Sequence, residues 1–385
     1  MDDHSTFILV LYGLINSAFA AALVNSFRKS DTQLNLSSSC VTLMLLFCGE
    51  LFFYLYFSSY VGLVVFILCS LLAYVSIRSK AMLSPGGKTV LITGCDSGFG
   101  HTLAKHLDSL GVYVFATVLD EEGDGAQELK AVGSDRLIVF QMDVTNHAMI
   151  QETKEKVKKQ LGGKGLFALV NNAGIIVHIG DSEIIPTDAY KRCMEVNFLG
   201  AVEVTKAFLP LIRQTKGRIV NISSPSGEIP FGRMSTYGSS KAALELYSDI
   251  LRQEMKIWGV KVSIIQPGAT KTAQVGNVNF WCQQQKQLTD SLSLELLRDY
   301  GEDYLAEIYQ KVTLLGSNFH QTMDPIIDTI VAALLTENPK SRYTTEFVID
   351  LIKVIYYFLP NTVSDIILNK IFVSHSLLPN GCKQK

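Results

Sequence analysis

Residues 88 to 100, KTVLITGCDSGFG, set a short β-rich run directly against a glycine cluster and the start of a helical pattern. Thr89 to Thr93 reads as a buried strand, and the helix that follows begins near Phe99. Between them Gly94, Gly98 and Gly100 let the backbone turn tightly. With Asp96, Ser97 and Phe99 they make a loop at the positive end of a helix, where a pyrophosphate is stabilised. A strand forced into a helix through such a loop has few folds open to it. The same glycine spacing also marks plain tight turns, so the rest of the chain must decide.

The rhythm continues. A second strand, Val112 to Val118, ends at Leu119-Asp120, twenty residues past the last glycine. A carboxylate there can accept both hydroxyls of an adenosine ribose and repels a 2′-phosphate, and the loop offers Asp96 where an Arg or Lys would attract one. Asp120 therefore favours NAD over NADP, although it also reads as a solvated acid opening a turn. Strand Leu137 to Gln141 runs into Asp143, which suits either an adenine amine or a helix cap. Strand Phe167 to Val170 runs into Asn171-Asn172-Ala173-Gly174, strand Arg218 to Ile222 into Ser223-Ser224, and strand Lys261 to Gln266 into Pro267-Gly268. Six strands alternating with helices predict an α/β, Rossmann-type doubly wound parallel sheet, whose ligands sit beyond the strands' carboxyl ends.

The stretch STYGSSKAALELYSDILR, 235 to 252, has Ala243, Tyr247, Ile250 and Leu251 at helical spacing. Tyr237 and Lys241 are four apart and so share a face, presenting a phenol and an ammonium to one small volume. Alone, such a pair is better explained by two amphipathic side chains at a surface.

Hydrophobicity is concentrated at the start of the chain. No residue from Phe7 to Val24 is charged, and Cys40 to Phe57 and Val61 to Ile77 are two further apolar runs, broken only by Glu50 and a short link. Each is about long enough to cross ~30 Å of hydrocarbon as a helix. Residues 1–80 are therefore expected to form a membrane anchor of three transmembrane helices, about 7–24, 40–57 and 61–77. The basic residues Arg28, Lys29, Arg78 and Lys80 place the following domain in the cytosol if the positive-inside rule holds. A net charge of −2 gives no electrostatic case for nucleic acid. The seven cysteines form no C-x-x-C pair, so neither a disulfide framework nor a metal site is expected.

From about Gly87 to Thr345 the chain resembles the short-chain dehydrogenase/reductase family. TGCDSGFG matches the family's glycine loop, NNAG its fourth-strand motif and YGSSK its YxxxK, with Ser224 thirteen residues before Tyr237. Asn197 in MEVNFLG matches the family's asparagine, and Pro267-Gly268 with Thr272 its PGxxxT. The resemblance implies an NAD-dependent dehydrogenase. Tyr237 would take the substrate hydroxyl proton and Ser224 would hold the substrate oxygen. Lys241 would bind the nicotinamide ribose and favour the phenolate, and Asn197 would hold a water linking the lysine to solvent. Gly94, Asp96, Ser97, Gly98, Phe99, Gly100, Asp120, Asp143, Asn171, Ala173, Gly174, Pro267, Gly268 and Thr272 would line the cofactor site.

Within the family the likeness is to the membrane-bound steroid and retinoid dehydrogenases. VEVTKAFLPL, YGSSKAA, WGVKV and DYGEDYL resemble the branch that oxidises 17β-hydroxysteroids, and VLITGCDSGFG, ATVLD, SPSGEIP and VSIIQPG the branch that oxidises 11β-hydroxysteroids. The resemblance implies a steroid or other lipophilic alcohol substrate, an endoplasmic reticulum membrane location, a substrate lid over about 275–315 and a possible homodimer through the helix carrying Tyr237. Domain bounds follow as 81–345 for the dehydrogenase and 346–385 for an apolar extension that lies at the membrane surface or packs as a cap. Lys383, at the third-last place, is a feeble sign of retrieval to the endoplasmic reticulum. A catalytically idle scaffold binding lipid or a partner is the alternative of a different class. The presence of the tyrosine, lysine and glycines argues against it.

Overall fold

A computed structural model describes residues 10–15, 17–18, 21, 61–68, 82–268, 276–318, 322–370 and 377–383. The chain divides into two units, one formed by Met1–Leu83 with Leu335–Ser341, the other by Ser84–Leu334 with Arg342–Lys385. In the first, the buried Tyr12 and Phe66 hold their rings 5.5 Å apart, and Met82 bridges Thr336 antiparallel. Among the described residues no helix is long and apolar enough to cross a membrane. Most of the three expected spans lies outside the described residues.

The second unit is built on seven parallel strands: β1 (Thr89–Ile92), β2 (Tyr113–Val118), β3 (Leu137–Gln141), β4 (Ala168–Asn171), β5 (Arg218–Ile222), β6 (Lys261–Gln266) and β7 (Arg342–Thr344). Their order is β3-β2-β1-β4-β5-β6-β7, so the chain winds outward from β1 in one direction and then from β4 in the other. The six strands expected from the sequence form the sheet, and β7, a three-residue run ending in Thr344, extends it beside β6. Strands β4 and β5 are buried along their whole length, as parallel strands covered on both faces must be. Edge strand β3 is only partly covered.

Helices α1 (Gly98–Ser109), α2 (Asp124–Val132), α3 (His147–Leu161), α4 (Thr187–Met194), α5 (Ala201–Gln214) and α6 (Ser235–Met255) supply the crossovers. One core gathers Leu91, Leu169 and Ile219 from the sheet with Val157, Phe208 and Leu251 from the helices. Each such side chain contributes about 1.5–3 kcal/mol when fully buried.

The buried face of α6 differs from the apolar stripe. Thr236, Ser240, Leu244, Ser248, Leu251 and Met255 face inward, while Ile250 is exposed. Ser240 and Ser248 sit in the core because Asn197 and Asn221 each donate to them, at 2.9 and 2.7 Å.

Helices α7 (Val278–Ser291), α8 (Leu294–Tyr300) and α9 (Glu302–Asn318) occupy the expected lid segment. Their stripe makes a second core, where Trp281, Leu305 and Ile308 pack on Ile179, Ile184 and Ile185 after β4. Two tyrosines fasten this layer: Tyr304 Oη donates to Asp181 at 2.6 Å and Tyr300 Oη to Glu183 at 2.8 Å. After α10 (Asp324–Leu335) and β7, the extension forms α11 (Phe347–Phe358) and α12 (Asn361–Leu368).

Candidate active site

The glycine loop leaves β1 at Thr93 and enters α1 at Gly98. Gly94 and Gly98 take φ of 69° and 63°, a left-handed backbone that a side chain disfavours. A Cβ on Gly100 would lie 2.5 Å from Asn172 Nδ2, so this helix turn and the NNAG segment are packed backbone to side chain. Asn172 ties them further, donating from Nδ2 to the Thr93 and Gly94 carbonyls at 2.9 Å each. Ser97 caps α1 with extended backbone and makes no side-chain cap bond. The first N–H groups of α1 thus face the loop's mouth, the donor set a pyrophosphate requires.

The acids fall at the end of β2. Asp96 Oδ1 accepts from Leu119 N at 2.7 Å and Asp120 N at 3.4 Å, so it shapes the corner on which the exposed Asp120 stands. Asp143 closes a turn, accepting from Thr145 N at 2.8 Å and Thr145 Oγ1 at 2.7 Å. The cap of α3 is instead Asn146. Asn171 faces the sheet interior, giving its amide to Thr205 and Asn221 at 2.9 and 2.8 Å, so its side chain braces β4 against β5. Gly268 N donates to Thr345 Oγ1 at 2.7 Å, and a Cβ there would run into the Glu346 side chain. Thr272 lies outside the described residues.

Ser224, Asn197 and the pair of Tyr237 and Lys241 come from three different places and meet beyond β4 and β5. Ser224 follows β5, and its Oγ accepts from Ser226 N at 3.2 Å. Asn197 sits in a π-helical turn, Glu195–Gly200, wedged between α4 and α5, a helix defect frequent at functional sites. The defect turns Asn197 fully inward. Its Oδ1 accepts from Ile175 N at 2.8 Å, and its Nδ2 donates to Ile175 O and Ser240 Oγ at 2.9 Å each. Tyr237 and Lys241 stand on the first turns of α6, with Lys241 Nζ 5.6 Å from the centre of the Tyr237 ring.

Burial dominates the electrostatics. Desolvation pushes the Tyr237 phenol up to about 12, against a smaller downward pull from the Ser224 hydroxyl. Desolvation likewise brings the buried Lys241 ammonium down to about 8, although Glu245 supports its charge. Lys241 Nζ donates to the Ile222 carbonyl at 2.9 Å. At Gly174, the place a Cβ would fill lies 3.3 Å from Lys241 Nζ and 3.4 Å from Asn197 Oδ1, a niche that both polar groups share.

A family model for short chain dehydrogenases matches residues 88–283. The chain belongs to the short-chain dehydrogenase family, and it is an oxidoreductase. It is 43% identical over 304 residues to estradiol 17-beta-dehydrogenase 2 of Mus musculus, covering 79% of this chain and 80% of that one. It is 44% identical over 287 residues to 11-beta-hydroxysteroid dehydrogenase type 2 of Bos taurus, covering 74% and 71%. Among solved structures it is similar to a short-chain dehydrogenase from Streptomyces avermitilis, with a TM-score of 0.54, 28% identity and coverage of 67% and 87%. The family's nucleotide cofactor fits the residues present: the glycine loop with its open helix end, the acids after β2 and the Lys241 niche form one continuous C-terminal sheet edge.

The sequence reading missed the groups behind this edge. Glu228, Glu245, Arg342 and Lys353 form ion pairs there. Position carried a signal: Glu245 lies four residues past Lys241, and Lys353 is an isolated cation in an apolar stretch.

Proposed function

We propose that this dehydrogenase uses NAD to oxidise a hydroxysteroid to the ketone, acting on the 17β-hydroxyl of estradiol or testosterone. The observation that carries the reading is the convergence of Ser224, Tyr237, Lys241 and Asn197 in a chain identical to two steroid dehydrogenases at more than two fifths of the aligned positions. The 17β position is favoured because that relative matches the larger share of the chain. NAD is favoured by Asp120 with Asp96 behind it, an acidic corner hostile to a 2′-phosphate.

A dinucleotide held by the glycine loop and Asp120 would supply the hydride acceptor and the positive charge of an oxidised ring. The chain's own residues handle the proton. Ser224 holds the substrate oxygen, and Tyr237 receives the proton from it as the carbonyl forms. Lys241 and Asn197 border the niche at Gly174, where a bound water completes a route from the lysine to solvent. Asp96 orients the ribose corner, and Gly94, Ala173 and Gly174 keep the groove narrow without side-chain bulk.

The apolar runs of residues 1–80 are read as a membrane anchor that holds the enzyme at the endoplasmic reticulum with its catalytic domain in the cytosol. Exposed Val348, Leu351, Val354 and Phe358 on α11 support contact with lipid. The helices α7 to α9 are read as a substrate lid. A cavity of about 370 Å³ between α7 and α9 is lined by Trp281, Cys282 and Tyr309, with neither Ser224 nor Tyr237, so the substrate is not assigned to it. Exposed Leu246 and Ile250 on α6 suit pairing with a second copy.

The test is a product assay on membranes containing the full-length chain, supplied with NAD and with estradiol, testosterone, cortisol or all-trans-retinol in parallel. Estrone or androstenedione should dominate. Cortisone as the main product would move the substrate to the 11β position, retinal to the retinoids, and no turnover of any alcohol would favour a binding scaffold.

A further inference from the structure

Behind the catalytic groups lies a cluster of charges that joins four separate elements. Glu245, 4% exposed, is one turn after Lys241 on α6, and its Oε1 accepts from Ser223 Oγ at 2.7 Å and from Gln266 Nε2 at 2.8 Å. Ser223 is the neighbour of Ser224, and Gln266, fully buried, ends β6 just before Pro267-Gly268. Glu228 closes the turn that begins at Ser224 and accepts from the same Gln266 amide at 2.8 Å. Two cations face these acids. Arg342 of β7 reaches Glu228 at 3.2 Å, Asp249 at 2.9 Å and Glu245 more closely still. Lys353 of α11, 7% exposed, lies 2.6 Å from Glu228 and donates to Gln266 Oε1.

We propose that Lys353 is a positioning residue for the dehydrogenase reaction: by pairing with Glu228 and holding Gln266 it fixes the Ser224 turn and the end of β6, which makes the C-terminal helix α11 part of the active-site framework. Asp249 also pairs with Arg252 at 3.3 Å, but among the described residues Glu228 and Glu245 have only Arg342 and Lys353 as ion-pair partners, so losing Lys353 leaves both to Arg342. A carboxylate deprived of its partner away from water moves toward solvent or takes up a proton. Either response displaces Glu228 and, through four residues, Ser224. Burial pushes the Glu228 carboxyl up, but Lys353, Gln266 and Arg342 outweigh it and hold it down at about 2. Packing points the same way: Ile229, next in the turn, is buried against Ile352 of α11 and Leu368 of α12.

The inference rests on the oxidation proposed above, so wild type is assayed beside each full-length variant, with NAD and whichever alcohol wild type turns over. Lys353→Met should lower kcat about 10- to 100-fold, the size of a small misplacement of reacting groups, with NADH affinity by fluorescence titration and KM little changed. Lys353→Arg should keep most activity, and Glu228→Gln with Lys353→Met should regain most of the lost kcat, since neither charge is then stranded. Backbone amides of residues 224–229 should exchange faster in Lys353→Met while those of β1 do not. A folded Lys353→Met with kcat within about twofold of wild type, or a double variant no better than the single, overturns the inference. Should Lys353→Met not fold, Lys353→Gln, which keeps a polar group beside Gln266 but removes the charge facing Glu228, is read by the same assays, and an unchanged kcat there is equally decisive against it. If wild type oxidises none of the alcohols, the proposed substrate fails separately, and unchanged exchange at 224–229 is then the overturning result.

Discussion

Lys241 Nζ stands 5.6 Å from the centre of the Tyr237 ring and donates to the Ile222 carbonyl at 2.9 Å. Four residues apart on one helix face, the two groups share a volume, as their spacing requires. In that volume burial outweighs the pull of the Ser224 hydroxyl, and the phenol is held up at about 12. In the proposed mechanism Tyr237 accepts the substrate proton as the phenolate, a form that burial keeps scarce at neutral pH. Tyr237→Phe keeps the ring and its packing but removes the acceptor. Turnover should fall by ~10²–10⁴, with dinucleotide affinity within a few-fold of wild type by fluorescence titration.

The same burial sets the pH dependence. Alcohol oxidation draws on the deprotonated phenol, whose fraction grows with pH as long as pH stays below the phenol's pKa. The kcat/KM for oxidation should therefore climb from pH 7 to 9, whereas carbonyl reduction, which draws on the protonated phenol, should not. Ser224 is the group that pulls the phenol down, so Ser224→Ala should displace the rise to higher pH and lower the rate by about 10²–10³. Initial rates in both directions across that range check the sign. A flat oxidation profile in both proteins would contradict it.

Asn197 grips the segment after NNAG by both ends of its carboxamide, accepting from Ile175 N and donating to Ile175 O. Asn197→Ala leaves those two half-buried backbone groups without the partner, at about 1–3 kcal/mol for each group left unsatisfied. At about 2–4 °C per kcal/mol for a large domain, the melting temperature should drop by several degrees, about 4 °C at the least. Activity should fall more than stability accounts for, because the niche at Gly174 opens. Differential scanning calorimetry beside turnover separates the two effects.

How legible was this in the sequence? The six long strands of the sheet show as uninterrupted β-rich runs, because strands covered on both faces need no polar alternation. The seventh escapes: Arg342-Tyr343-Thr344 is too short to show a period, and Arg342 reads as a surface charge until Glu228 and Glu245 are brought to it across the fold. The inward face of α6 escapes for another reason. Ser240 and Ser248 look solvent-facing in a hydrophobic pattern, and their burial is tolerable because they accept from Asn197 and Asn221 and donate to the Tyr237 and Leu244 carbonyls. Motif residues are legible when their backbone is the function, as at Gly94 and Gly98. Asn171 shows the limit: it sits in the motif but turns its amide toward Thr205 and Asn221.

Cofactor choice rests on one corner. Asp120 is exposed at the end of β2, with Oδ1 accepting from Glu122 N at 3.0 Å, and Asp96 fixes the preceding backbone through Leu119 N at 2.7 Å. A carboxylate held there accepts the ribose hydroxyls and faces any 2′-phosphate with like charge. Charge-assisted hydrogen bonds of this kind contribute about 1.5–3 kcal/mol, so Asp120→Ser should weaken NAD by ~10–100-fold and, with the repulsion gone, strengthen NADP. Asp96→Ala should weaken both dinucleotides, since it frees the corner instead of removing the charge that reads it. Parallel titrations of wild type and the two variants with NADH and NADPH distinguish these outcomes. A wild-type preference for NADPH would remove the role assigned to Asp120.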